Sequence, residues 1–156
     1  MHTNTSVVSA TVSRASSAEG KRDRFLAAAD GLLAHAHEEL EAGREDVALE
    51  QAYLAALRIA GAVCATSPTI RKRKRLPTSA WDKLAITGAD GKRWAGTFRQ
   101  YSALRGRVVS GIQREVPAAR VAELLGEAER FYEFARPDFG TCLLYTSDAA
   151  DDLLTV

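Results

Sequence analysis

The stretch from Ala48 to Ala65, ALEQAYLAALRIAGAVCA, is apolar almost all the way round a helical wheel. A helix of that kind must be enclosed on several sides, so it reads as the buried centre of the fold. No segment of the chain alternates apolar and polar residues with period two, so its partners are expected to be helices. A chain of 156 residues can bury one such core without disulfides or metals.

The flanking periodicities supply those partners. Phe25, Ala29, Leu32, Leu33, Ala36 and Leu40 form one stripe on a first helix from about Arg22 to Ala42, which Gly43 is placed to end. The central helix is expected to start near Asp46 as N-cap and to stop at Ser67-Pro68. A short helix from Ser79 to Ile86 buries Trp81, Leu84 and Ala85, with Ser79 and Asp82 spaced as a capping box. After a turn at Gly88–Gly91, a fourth helix carries Trp94, Phe98, Tyr101, Leu104, Val108 and Ile112, with Tyr101 the aromatic expected nearest the surface. Its glycines at 96, 106 and 111 suggest irregularity or tight packing. A fifth helix opens at Pro117 and presents Val121, Leu124, Leu125, Ala128, Phe131 and Ala135. The expected fold is all-α, a single up-and-down antiparallel bundle of about five helices spanning residues 21–140. Residues 1–20, rich in Ser and Thr, read as a disordered tail.

The chain's end reads differently. Cys142 to Asp151, CLLYTSDAAD, matches the in-frame translation of a transposase sequencing adapter, so residues 141–156 are expected not to be native. Resequencing the gene from an adapter-free amplicon tests this, and recovery of the same codons would sink it. That segment holds three acids and no base, so without it the net charge moves from +1 to +4. Five positive charges lie in Arg71, Lys72, Arg73, Lys74 and Arg75, which leaves the remainder near −1. Basicity is therefore local, a patch and not a property of the whole surface.

Most apparent chemistry dissolves on inspection. His35 and His37 are two apart, so on a helix they point away from each other and cannot share an ion. Asp138-Phe-Gly140 resembles a kinase triplet by letters only, and Gly88 to Lys92 lacks the length and hydroxyl of a phosphate loop. Cys64 and Cys142 belong to no CxxC or His/Cys cluster, and Cys64 reads as a buried free thiol suited to a reducing cytosol. Neither metal nor cofactor is expected. The N-terminus lacks a signal-peptide pattern, no stretch approaches the ~20 apolar residues of a membrane span, and no membrane partner is expected. Arg58 reads as a residue whose stem packs and whose head reaches solvent or a carboxylate. What remains is the run Arg71–Arg75, whose chemistry is phosphate binding by counterion release, with Lys92, Arg93, Arg99 and Arg107 as a possible extension.

The buried AYLAALRIAGAVCA helix, the basic run, the SAW entry at Ser79–Trp81, the aromatic fourth helix and the closing AELLGEAERFYEFA together resemble the HEPN superfamily, specifically a subfamily of small actinobacterial proteins. The likeness covers about residues 24–137. It implies a helical bundle that often forms a homodimer, and a nucleotide-binding role. Many HEPN proteins are metal-independent RNases with an Arg-x(4–6)-His motif near the start of the last bundle helix. Here Arg114 is followed by Glu-Val-Pro-Ala-Ala-Arg-Val, and the histidines are His2, His35 and His37. No catalytic residue carries over. The expected function is non-catalytic binding of RNA or a nucleotide through Arg71–Arg75. The alternatives are a homodimeric module docking on an acidic protein or a nucleotidyltransferase, and an RNase with an atypical site involving Arg58 or Arg114.

Overall fold

The structure, a computed structural model, describes residues 3–137, with side chains from Ser17 onward. Among the described residues there are helices and no strands: α1 (Thr3–Glu41), α2 (Glu45–Ala65), α3 (Pro68–Lys72), α4 (Ala80–Ala85), α5 (Ala89–Val109) and α6 (Ala118–Ala135). The expectations for Asp138-Phe-Gly140 and for residues 141–156 lie outside them.

The central position of α2 is as the sequence requires. It packs against α1, α4, α5 and α6. Ala48, Leu49, Ala52, Ala55, Ala56, Ile59, Ala60 and Ala62 are all essentially inaccessible. The alanines let neighbouring helices come close, and the larger Leu49 and Ile59 fill the space between them. By length and composition α2 is also apolar enough to cross a membrane, contrary to the count of uninterrupted apolar residues; half of its most apolar window is buried inside the bundle.

Several boundaries differ from expectation. Helix α1 extends back from the bundle to Thr3, further than the start expected near Arg22. Gly43 does end that helix with φ 76°. Arg44, not Asp46, takes the N-cap position of α2, and Glu45 and Asp46 lie in the first turn, where the helix dipole favours acids. Ser67-Pro68 stops α2 and also starts α3. The Ser67 hydroxyl accepts from the Ile70 N–H at 3.3 Å, and Pro68 occupies the first turn, where its missing N–H costs nothing. That sixth helix is the one the sequence reading lacked.

Ser79 caps α4 by accepting from the Asp82 N–H at 3.4 Å, but the reciprocal half of the capping box is absent because the Asp82 carboxylate pairs with Arg99. The supposed turn at Gly88–Gly91 is an N-cap at Gly88 followed by the first turn of α5. Gly96 and Gly106 neither break α5 nor admit a close neighbour. Ile112 falls beyond the end of α5 and is 78% exposed. On α6, Val121, Leu124, Leu125, Ala128 and Phe131 form the inner face as expected.

Aromatic stacking joins α4, α5 and α6. Phe98 is fully buried, 5.3 Å from Trp81, 6.0 Å from Trp94 and 5.1 Å from Phe131 between ring centroids. Tyr101 is buried too, with Arg120 over its ring at 4.5 Å, so Trp94 and not Tyr101 is the aromatic of that ladder nearest the surface.

Candidate functional site

The basic run leaves α2 by way of the Ser67-Pro68 cap. Arg71 and Lys72 occupy the last turn of α3, where cations complement the helix C-terminus. Arg73 is the C-cap in extended conformation, and Lys74 and Arg75 form a bend on the way to Pro77. All five are exposed, and none has a carboxylate partner among the described residues.

Elsewhere many arginines are compensated, though Arg24, Arg58, Arg107 and Arg114 meet no carboxylate among the described residues. Arg22, Arg44, Arg93, Arg99, Arg105, Arg120, Arg130 and Arg136 each meet an Asp or Glu. The bidentate Arg105–Glu50 pair, at 2.9 and 2.8 Å, ties α5 to α2 and raises the Arg105 pKa through that hydrogen bond. The proposed extension of the patch along α5 is neutralised at two of its four residues: Arg93 faces Asp90 and Arg99 faces Asp82, whereas Arg107 donates to the uncharged Gln113 at 3.1 Å and Lys92 has no carboxylate partner among the described residues.

A different set of cations stands beside the basic run. Ile70 and Leu76, the residues immediately before and after it, both line a groove of about 320 Å³ between α1, α2 and α4. Phe25, Leu57 and Gly61 also line it, as do Lys21 and Lys83. The run thus departs from the groove at one end and returns to it at the other. Phe25 is only half-buried, while its neighbour Leu26 enters the core at 6% exposure, so the apolar stripe of α1 is shifted by one residue there. Phe25 lies flat enough on α2 to need Gly61. A Cβ at that position would sit 2.9 Å from the ring.

A second pocket, of about 380 Å³, shares Lys21 and Phe25 with the groove and is completed by Arg24, Ala28 and Arg58. The Lys21 ammonium sits 6.0 Å from the Phe25 ring centroid. Arg58 is exposed, so its head reaches the solvent side of α2. Sequence reasoning missed this cluster because its members lie on two helices and join no charge run. The spacing of Lys21 and Arg24 on one helical face was the available signal.

Cys64 lines the groove, and burial pushes its thiol pKa up, with Lys83 acting in the opposite direction. Among the described residues no three metal-ligating side chains come together. His35 reaches Glu39 at 3.4 Å, and His37 reaches Glu129 on α6 at 2.7 Å; two ligands do not hold an ion. Arg114 is exposed in the segment between α5 and α6, on a different element from either histidine.

No curated protein and no solved structure matches the chain. A family model for an HEPN-like domain matches residues 39–136, a span that takes in α2 to α6 and the basic run. Carrying that match over most of its length, in an all-α bundle with α2 at the centre, the chain belongs to the HEPN-like family.

Proposed function

We propose that this protein binds the phosphates of RNA or of a nucleotide through Arg71, Lys72, Arg73, Lys74 and Arg75. The observation that carries the reading is the contrast in compensation. Eight arginines outside the run meet carboxylates and the others stand apart from one another in sequence, whereas five adjacent cations from the end of α3 towards α4 meet none among the described residues. Their mutual repulsion is relieved by solvent and, more strongly, by a polyanion that gives up its own counterions. Binding without cleavage fits best, because no histidine follows an arginine at the spacing of HEPN RNases.

Fluorescence anisotropy with labelled RNA at low salt tests this. Replacing the five residues by Gln should abolish binding while circular dichroism stays unchanged. Unaltered binding in that variant removes the proposal.

A second reading is a homodimeric interaction module. Val109 and Ile112, 64% and 78% exposed near the end of α5, favour it as an apolar surface without a cover in the monomer. Sedimentation showing a monomer that Ile112→Asp leaves unchanged would remove it. A pull-down of an acidic protein or nucleotidyltransferase that survives nuclease and high salt would replace the RNA reading.

A further inference from the structure

The pocket of Lys21, Arg24 and Arg58 is an unusual thing to find on a surface where most arginines are paired. Its lining holds three cations, one aromatic ring and Ala28, and no carboxylate. Lys21 and Arg24 are three apart on α1, the spacing at which like charges repel along a helix. Arg58 adds a third charge from α2. Asp23, the acid adjacent in sequence, is engaged by Arg22 at 3.2 Å. Such a cluster gains most from an anion able to meet several donors at once, which describes a phosphate.

The ring beside those charges narrows the ligand. Phe25 lines both this pocket and the neighbouring groove, and is held there by the clearance that Gly61 provides. A half-exposed ring next to cations accepts a planar base by stacking. The groove then runs on to Ile70 and Leu76, the two ends of the basic run. A base inside a duplex is already stacked on both faces and cannot enter, so the surface suits an unpaired strand.

We propose that this pocket holds one nucleotide unit of a single strand, its phosphate among Lys21, Arg24 and Arg58 and its base against Phe25. The strand continues along the groove to Arg71–Arg75. This rests on the phosphate-binding reading of the basic run and adds a requirement for unpaired nucleotides.

The test uses the full chain and a short labelled oligoadenylate, free or annealed to oligouridylate. The single strand binds about tenfold or more tightly than the duplex. Phe25→Leu and Arg58→Gln each weaken the strand by about fivefold or more and erase its preference over duplex, while Phe25→Tyr keeps both. Circular dichroism confirms that each variant keeps its helicity. Equal affinity for strand and duplex, or wild-type preference in both Phe25→Leu and Arg58→Gln, overturns the pocket assignment and leaves the basic run standing. No binding of either form at low salt overturns the basic-run reading itself. Displacement by adenosine monophosphate at the strand's own concentration reassigns the pocket to a free nucleotide and overturns the strand. Equal displacement by polyglutamate overturns it in favour of an acidic protein.

Discussion

The indole Nε1–H of Trp81 donates to the Tyr53 hydroxyl at 2.8 Å, in the core where α4 meets α2. The same hydroxyl lies 2.9 Å from Ser102 Oγ on α5, and the two rings meet edge to face with centroids 5.8 Å apart. One oxygen therefore joins three helices and serves the only polar group of a buried tryptophan.

Tyr53→Phe keeps the ring and removes that oxygen. The Trp81 N–H is then left without its acceptor, a loss of about 1–3 kcal/mol. Urea unfolding is the direct measurement, and the midpoint should fall with the slope unchanged. Tyr53→Phe unfolding at the wild-type midpoint would mean that another acceptor or a water replaces the hydroxyl.

The core was legible and the site only in part, for physical reasons. Ala48–Ala65 and the ladder Phe98–Leu104 could be read because a buried face repeats with the helical period whatever surrounds it. Phe25 could not be placed the same way. Periodicity puts it at the edge of the α1 stripe, and whether the edge meets the core or solvent depends on Gly61 across the interface. Ser67-Pro68 carried two meanings at once, since the residues that end α2 are also the cap and first turn of α3. Composition exposed the run Arg71–Arg75, yet the cluster Lys21, Arg24 and Arg58 depends on a tertiary pairing of α1 with α2 that no local pattern encodes.

Glu39, at the end of α1, is hydrogen-bonded by Arg44, the N-cap of α2, and this holds its carboxyl below the usual range against the opposing effect of burial. The charges of Arg44 and His35 act in the same direction as the hydrogen bond. A carboxyl whose pKa is lower in the folded state than in the unfolded chain binds more protons when unfolded. Its stabilisation is thus present above its ordinary value of 4.5 and fades as pH falls through the folded value. Glu39→Gln should be less stable than wild type at neutral pH, and the gap should narrow progressively once the pH drops below that range. A gap that stays constant down to strong acid would show that the pair contributes no linkage.

Phe98 touches Trp81, Trp94 and Phe131 and is fully buried, so Phe98→Ala removes the contact shared by α4, α5 and α6. The loss should be about 3–5 kcal/mol, the usual range for a buried phenylalanine leaving a cavity. Phe98→Leu should recover much of it. Thermal unfolding followed at the aromatic near-ultraviolet bands reads both variants.

Salt separates the phosphate reading from docking on an apolar surface. If all five residues of Arg71–Arg75 contact the phosphates of a single strand, log K should fall with log salt at a slope of about −3.5, against about −4.5 for a duplex. Neutralising Lys74 and Arg75 alone should reduce the single-strand slope by about 1.4 and weaken all sequences alike. A slope near zero would remove phosphate contact from the account.

Cys64 offers a reporter inside the groove that needs no label. Its thiol is half-buried beside Leu57 and Gly61, and burial raises its pKa more than Lys83 lowers it. Only the thiolate is alkylated, so in a Cys142→Ser background iodoacetamide should react more slowly than with free cysteine at pH 8. The pH midpoint of that rate should lie above the free-thiol value, because a raised pKa delays ionisation. An oligoadenylate in the groove should slow the reaction further at constant pH, and Arg58→Gln should remove that protection without changing the rate of the unliganded protein. A midpoint at or below that of free cysteine would place Cys64 in a more exposed, more cationic setting than α2 and α4 provide.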